Sequence, residues 1–239
     1  MNKLLKLLII TLCIVVFGNV SYADSPATLE KLPNSSYSKL CYHGKCALYD
    51  NFDKEIVTEL QYDDIKFLDD TPYMKVKVNG KWAIYYLYTD REITLPIYDD
   101  IESIRANGSK YLIVKQGDKW AVFYTIKSKL LTGYIYESFK RVDSDFDFDT
   151  FKVKSFDKYG FITFGTFNVD DCDFDYVPAI YDEAEMFTAT IFKVKEDDKW
   201  ALYDAKIHKP VTLFEYDDIK YKNGNFRGQK DGAWVDIKL

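Results

Sequence analysis

The tripeptide Lys-Trp-Ala occurs three times in this chain, and sixteen residues after each tryptophan comes a tyrosine followed by an acid. Trp82 leads to Tyr98-Asp99-Asp100-Ile101, Trp120 to Tyr136-Glu137-Ser138-Phe139, and Trp200 to Tyr216-Asp217-Asp218-Ile219. Cys46 leads to Tyr62-Asp63-Asp64-Ile65 at the same spacing, Tyr159 reaches Tyr181-Asp182-Glu183-Ala184 after a six-residue insertion, and a truncated copy ends the chain at Trp234. Successive anchors lie 36, 38, 39, 41 and 34 residues apart. A period of this length means that one small supersecondary unit recurs and buries its apolar surface only by stacking on its neighbours.

The unit can be read by numbering each copy from its anchor as zero. Positions −3 and −2 are His43-Gly44, Asn79-Gly80, Gly117-Asp118, Phe156-Asp157, Asp197-Asp198 and Asp231-Gly232. Most of these residues tolerate the positive φ of a two-residue hairpin turn. Alternating segments flank them, so each unit is expected to be a β-hairpin in which −5 faces 0 and −6 faces +1. One face then carries valine at −6 (Val76, Val114, Val153, Val194) against a small residue at +1 (Ala83, Ala121, Gly160, Ala201) and a large one at +3. Small beside large suits a packed layer, and this is the expected core face.

The other face sets lysine at −5 across from the aromatic anchor: Lys77 with Trp82, Lys115 with Trp120, Lys154 with Tyr159 and Lys195 with Trp200. Such a pair gains stem packing and cation–π attraction. The indoles are expected to pack on the next repeat rather than to form a ligand ladder. In the first repeat Cys41 holds −5 and Cys46 holds 0. Beside a two-residue turn that site brings Cα atoms within about 4.5 Å, so a Cys41–Cys46 disulfide is expected, leaving Cys172 unpaired.

A third segment runs from each hairpin to its tyrosine motif, and Pro96 and Pro178 mark it as an edge strand or a bend. The expected fold is all-β: five tandem hairpin or meander repeats and a partial sixth, stacked as an open solenoid. The alternative is closure like a small propeller, whose units are usually longer, about 40–45 residues.

The first residues read as an export signal, with Lys3 and Lys6, an apolar stretch from Leu7 to Phe17, and a cleavage site between Ala23 and Asp24. The stretch is too short to span a bilayer. The expected organisation is a signal peptide at 1–23, a linker at 24–36 and the repeat domain at 37–239, with no stable membrane insertion after cleavage and a periplasmic or secreted location. Without Lys3 and Lys6 the 32 basic residues become 30 against 38 acids, a net charge of −8. That balance argues against nucleic acid and suits a basic partner.

Little in the chain points to chemistry. His43 and His208 fall in expected turns, and no zinc-ligand spacing surrounds them. The acidic tracts Asp143–Asp149 and Asp170–Asp175 have the oxygen density that calcium uses, but neither has the glycine or closing glutamate of an EF-hand loop. They read as solvated loops. No catalytic residue, metal or cofactor is expected.

Gly80-Lys81-Trp82-Ala83, Asp118-Lys119-Trp120-Ala121 and Asp198-Lys199-Trp200-Ala201, with the tyrosine–acid motifs, resemble the WG-repeat family of bacterial proteins. The resemblance spans about residues 37 to 239 and assigns structural anchor roles to Cys46, Trp82, Trp120, Tyr159, Trp200 and Trp234 and to Tyr62, Tyr98, Tyr136, Tyr181 and Tyr216. The family usually has glycine after the tryptophan, and here only Gly160 keeps it. Such repeats look like interaction modules. The expected function is therefore non-enzymatic binding of another protein outside the cytoplasm, for instance to neutralise a basic toxin or enzyme. The alternative is binding of carbohydrate or peptidoglycan.

Overall fold

The computed structural model describes residues 26–69, 71–104, 110–142, 149–164 and 175–239. The expected leader with its Ala23–Asp24 cleavage site, residues 143–148 and 170–174 of the acidic tracts, and Cys172 lie outside the described residues. The chain divides between residues 103 and 104 into two compact units. Among the described residues the regular structure is β, with one 3-10 turn at Leu87–Thr89.

In the first unit, β1 (Thr28–Lys31), β2 (Tyr37–Tyr42), β3 (Lys45–Asp50) and β4 (Glu55–Ile56) form one antiparallel sheet in chain order. A second sheet follows from β5 (Asp64–Phe67), β6 (Tyr73–Val78), β7 (Lys81–Tyr86) and β8 (Arg91–Glu92), and the unit ends with β9 (Asp100–Ser103). The second unit opens with β10 (Tyr111–Gln116), β11 (Lys119–Tyr124) and β12 (Lys129–Leu130). Three sheets follow: β13 (Ser138–Val142) to β16 (Asp175–Tyr181) through β14 (Asp149–Ser155) and β15 (Lys158–Phe164); β17 (Glu183–Met186) to β20 (Lys209–Pro210) through β18 (Ile191–Glu196) and β19 (Lys199–Asp204); and β21 (Asp218–Lys222), β22 (Asn225–Lys230) and β23 (Ala233–Ile237).

Two boundaries differ from the sequence reading. Residues 28–31 fall in the expected linker, yet they form β1 and pair with Ser38–Cys41 of β2. The acids after each tyrosine were expected to lead into the next hairpin as a connection. They instead begin its first strand, as Asp64 begins β5 and Asp218 begins β21. Within each unit a sheet after such a motif therefore takes its first strand from that motif's end, which ties one repeat covalently and by hydrogen bonds to the next.

The hairpin register follows the spacing. Lys77 pairs with Trp82 and Val76 with Ala83, and the same offsets hold at Lys115–Trp120, Lys154–Tyr159 and Lys195–Trp200. The turns use left-handed residues, including Asn79 (φ 51°), Gly80 (φ 81°), Asp197 (φ 48°) and Asp198 (φ 61°). Phe156 also takes φ 49°, a strained choice for a bulky side chain.

Both faces of the hairpins enter the core, the valine–alanine face and the anchor face that packs on the next repeat. Cys46 and Leu48 of the first sheet, with Tyr62 bridged to it, pack with Val76, Ala83 and Tyr85 of the second. Trp120, Val122 and Tyr136 meet Phe151, Val153 and Ile162. Tyr159 and Phe161 meet Val194, Ala201 and Tyr203, and Trp200 and Leu202 meet Phe226 and Ile237. Within each unit the anchor face of one repeat lies on the small-residue face of the next. Burial of a large apolar side chain in such a layer contributes about 1.5–3 kcal/mol.

Two glycines show how tight this layer is. A Cβ at Gly160 would lie 2.3 Å from the Val177 carbonyl oxygen, because β16 crosses over it at a bulge between Tyr159 and Phe161. At Gly228, which holds the −6 place usually taken by valine, a Cβ would stand 2.2 Å from the Tyr216 ring. Neither site admits a side chain without moving its neighbour.

Candidate binding surface and cleft

The residues singled out by the repeat are used to hold it together. The Trp82 N–H donates to the Tyr98 carbonyl at 2.8 Å, and the Tyr98 N–H returns to the Trp82 carbonyl at 3.1 Å. Cys46–Tyr62, Trp120–Tyr136 and Trp200–Tyr216 make the same bridge, while Tyr159 and Tyr181 pair within the β15–β16 ladder. All five tyrosines are buried. Trp82 and Trp200 are 5% and 6% exposed, and Trp120, Tyr159 and Trp234 are half-buried. Cys41 and Cys46 are disulfide-bonded, with Cα atoms 4.0 Å apart.

Lysines bracket these rings in two ways. The expected −5 lysines lie over the indoles, Lys77 at 5.1 Å from Trp82, Lys115 at 5.4 Å from Trp120 and Lys195 at 5.7 Å from Trp200. For Tyr159 the cation is Lys152 at 4.7 Å rather than the expected Lys154. A second lysine at −7, which the sequence reading missed, comes equally close or closer: Lys75 lies 5.1 Å from Trp82 and Lys193 4.2 Å from Trp200.

The −7 lysine also reaches the second acid of the following motif. Lys39 meets Asp64 at 2.9 Å, Lys75 meets Asp100 at 2.5 Å and Lys193 meets Asp218 at 3.1 Å. Where the third repeat has Ile113 at −7, it has Ser138 in place of the second acid, so both charges are absent together. The first acid pairs with the lysine before the anchor: Lys45–Asp63 at 2.6 Å, Lys81–Asp99 at 2.5 Å, Lys119–Glu137 at 2.8 Å, Lys158–Asp182 at 2.5 Å, and Lys199 with Asp217. These lysines pull the Asp63, Glu137 and Asp182 carboxyls below their ordinary range. The same acids accept from the next hairpin's turn, as Glu137 does from the Phe156 N–H at 3.1 Å. A threonine at +12 closes each edge: Thr58, Thr94, Thr132 and Thr212 each accept from the +2 backbone N–H at 2.9 Å. This regularity was present in the sequence as well.

His43 and His208 sit at left-handed turn positions, φ 49° and 53°. Among the described residues no group of three or more His, Cys, Asp or Glu side chains is arranged to hold a metal ion.

What remains for a ligand is where one repeat departs from its equivalents. At +10 the short edge strands carry Ile56, Leu130 and Pro210, but the second repeat carries Glu92. Glu92 stands opposite Tyr85 across β7 and β8, and its Oε1 accepts from the Tyr62 hydroxyl at 2.9 Å. Around them Val57, Thr58, Glu59, Gln61, Asp90 and Arg91 complete a cleft of about 350 Å³ within the first unit. Tyr85 is 3% exposed, and its hydroxyl is buried without a hydrogen-bond partner. Desolvation raises the Tyr85 phenol well above its ordinary value, with Asp90, Tyr37 and Glu92 adding to the effect, so it stays protonated.

A second departure from a closed surface lies at +6, in the turn after the second hairpin strand. Phe52, Tyr88 and Ile126 hold that position in the first three repeats and are 85%, 80% and 60% exposed.

Residues 48–82 and 89–120 match the family described as WG containing repeat. No curated protein matches the chain. Among solved structures it is similar to an eukaryotic initiation factor (8% identity, TM-score 0.42, covering 93% of this chain and 78% of that one). It is also similar to Kluyveromyces lactis Hsv2 (12%, 0.34, 84% and 71%) and to the WD40 domain of SCAP from fission yeast (8%, 0.31, 84% and 61%). Neither closure nor function follows from likenesses at these scores. With the Lys-Trp-Ala hairpins paired in register and Cys46, Trp82, Trp120 and Trp200 bridged to their tyrosines, the matched residues 48–82 and 89–120 carry repeats of the WG type.

Proposed function

We propose that this chain is an exported, non-enzymatic binding protein whose partner is a basic protein. One observation carries the proposal: the repeated polar and aromatic side chains are spent on joining repeats, while large apolar side chains stand exposed at one repeated turn position, at Phe52, Tyr88 and Ile126. Single exposed apolar residues are ordinary, but Phe52 and Tyr88 recur at one place in successive repeats of the first unit, and such a recurrence is the kind of surface repeat proteins present to partners. The net charge of −8 expected after export favours a basic partner. Exposed Trp82, Trp120 and Trp200 would favour the carbohydrate reading, and of these Trp82 and Trp200 are buried and Trp120 is half-buried.

The test is capture from an envelope extract with the tagged mature chain, alongside a Phe52→Ser/Tyr88→Ser variant whose fold is verified by circular dichroism. A protein retained by the wild type, released by salt and lost with the variant supports the proposal. No protein above background, or equal retention by both chains, overturns it. N-terminal sequencing of the exported chain should begin at Asp24.

A further inference from the structure

We infer that the Tyr62–Tyr85–Glu92 cleft is a receptor for a cationic side chain of the partner, arginine in particular. The inference rests on the protein-binding proposal above and names the chemistry of one contact. Three features converge on it. Glu92 is the acid that sets the second repeat apart at a position its equivalents fill with isoleucine, leucine or proline. It accepts from the Tyr62 hydroxyl through one oxygen, while those repeats build the same edge strand without a charge. The cleft's ionisable lining is Glu59, Asp90 and Glu92 against Arg91, two negative charges in excess.

The decisive feature is the Tyr85 hydroxyl. A buried hydroxyl without a partner is costly, and native proteins rarely leave one in that state. In the third repeat the equivalent residue is Phe123, which fills the place without a polar atom. Tyr49 and Tyr203 stand at +3 in the first and fifth repeats, and of these three hydroxyls only that of Tyr85 is buried without a partner. Its oxygen can accept from an incoming N–H donor. The Tyr62 hydroxyl already donates to one oxygen of Glu92, which fixes that carboxylate and leaves its other oxygen as an acceptor. A guanidinium offers five donors in a planar fork, enough to address a phenol oxygen and a carboxylate together, whereas an ammonium is a point charge. An anionic ligand would have to approach three carboxylates.

The experiment is a titration of the full mature chain, followed by the backbone amide resonances of Thr58, Arg91 and Glu92. The probes are acetyl-Gly-Gly-Arg-Gly-Gly-amide, the same peptide with citrulline for arginine, and spermidine. The arginine peptide should shift these amides and bind at least tenfold more tightly than the citrulline peptide. Glu92→Gln should weaken it tenfold or more, and Tyr85→Phe several-fold, with both variants remaining folded. Equal binding of the arginine and citrulline peptides, no shift at these amides, or full affinity in both variants overturns the inference. Shifts by spermidine but not by the arginine peptide also overturn it, by assigning the cation site to a free polyamine. The titration needs no partner, so its failure is separate from failure of the capture experiment. Partner capture that depends on Phe52 and Tyr88 beside an inert cleft sinks this inference alone.

Discussion

The pairing of the −7 lysine with the second acid can be tested by a double-mutant cycle that the third repeat has already written. Lys193 is 7% exposed; its ammonium meets Asp218 at 3.1 Å and Glu185 at 3.1 Å and lies 4.2 Å from the centre of the Trp200 ring. Asp218 is a third exposed and also accepts from the Ile219 N–H at 2.8 Å. The two partners therefore lose unequally when separated. Asp218→Ser leaves a buried ammonium with Glu185 alone. Breaking a fully buried pair costs about 3–5 kcal/mol, and the remaining glutamate and partial exposure reduce that to about 2 kcal/mol. Lys193→Ile leaves a carboxylate that keeps its backbone donor and its water, and it forfeits the cation–π contact, so the cost is about 1 kcal/mol.

Together the substitutions reproduce the Ile113 and Ser138 combination, and no charge is left stranded. The double variant should lose only about 1–1.5 kcal/mol, well short of the sum of the single losses. Urea unfolding followed by tryptophan emission measures all four proteins, provided the slopes agree. The converse graft, Ile113→Lys with Ser138→Asp, should likewise be better tolerated than either change alone. Additivity within about 0.5 kcal/mol, or a larger loss for Lys193→Ile than for Asp218→Ser, would refute the account of the lysine as a ring-capping charge neutralised by the next repeat.

Three further outcomes are expected. Gly160→Ala should destabilise by about 2–4 kcal/mol in thermal or urea unfolding, because its Cβ would meet backbone rather than a flexible side chain. Phe156→Gly should be stabilising by about 0.5–1 kcal/mol in the same assay, since the ring is exposed and φ is 49°. The Asp63 carboxyl, followed by carbon NMR, should titrate below the ordinary value of 3.8, and Lys45→Met should move its midpoint up. A depressed folded value means that the contribution of Asp63 is complete above the unfolded pKa and is lost as pH falls through the folded one; a midpoint at or above 3.8 in the wild type removes that contribution.

Much of the architecture was legible because a repeat compares a chain with itself. Turn pairs at −3 and −2 fix register by geometry alone, so the facing of Lys77 with Trp82 and of Cys41 with Cys46 followed from spacing. The first strand of each sheet was less legible. Asp-Asp-Ile has the composition of a turn, and only its hydrogen bonds to the next hairpin make it a strand, as Asp64 pairs with Lys77. β1 was hidden for a similar reason: its four residues are exposed, so no alternation marks them. The −7 lysines are diagonal neighbours of the anchor rather than directly opposed to it, and only their long side chains bring them to the ring. Their signal was the joint loss at Ile113 and Ser138.

The same logic separates structure from function in a protein without a catalytic signature. A residue that recurs at one repeat position, such as Thr58, Thr94, Thr132 and Thr212, is explained by the bond it makes in every copy. A residue that breaks the pattern to fit a local clash, such as Gly228 beneath the Tyr216 ring, is explained by packing. Glu92 goes beyond the bond that it accepts from Tyr62, because it introduces a charge where sister repeats are apolar, beside a buried hydroxyl left without a partner. The other repeats build the same strand pair without a charge, as Tyr49 with Ile56, Phe123 with Leu130 and Tyr203 with Pro210. Binding supplies a reason to keep that combination, and it requires that Glu92→Gln and Tyr85→Phe leave folding intact while they weaken recognition of a cation.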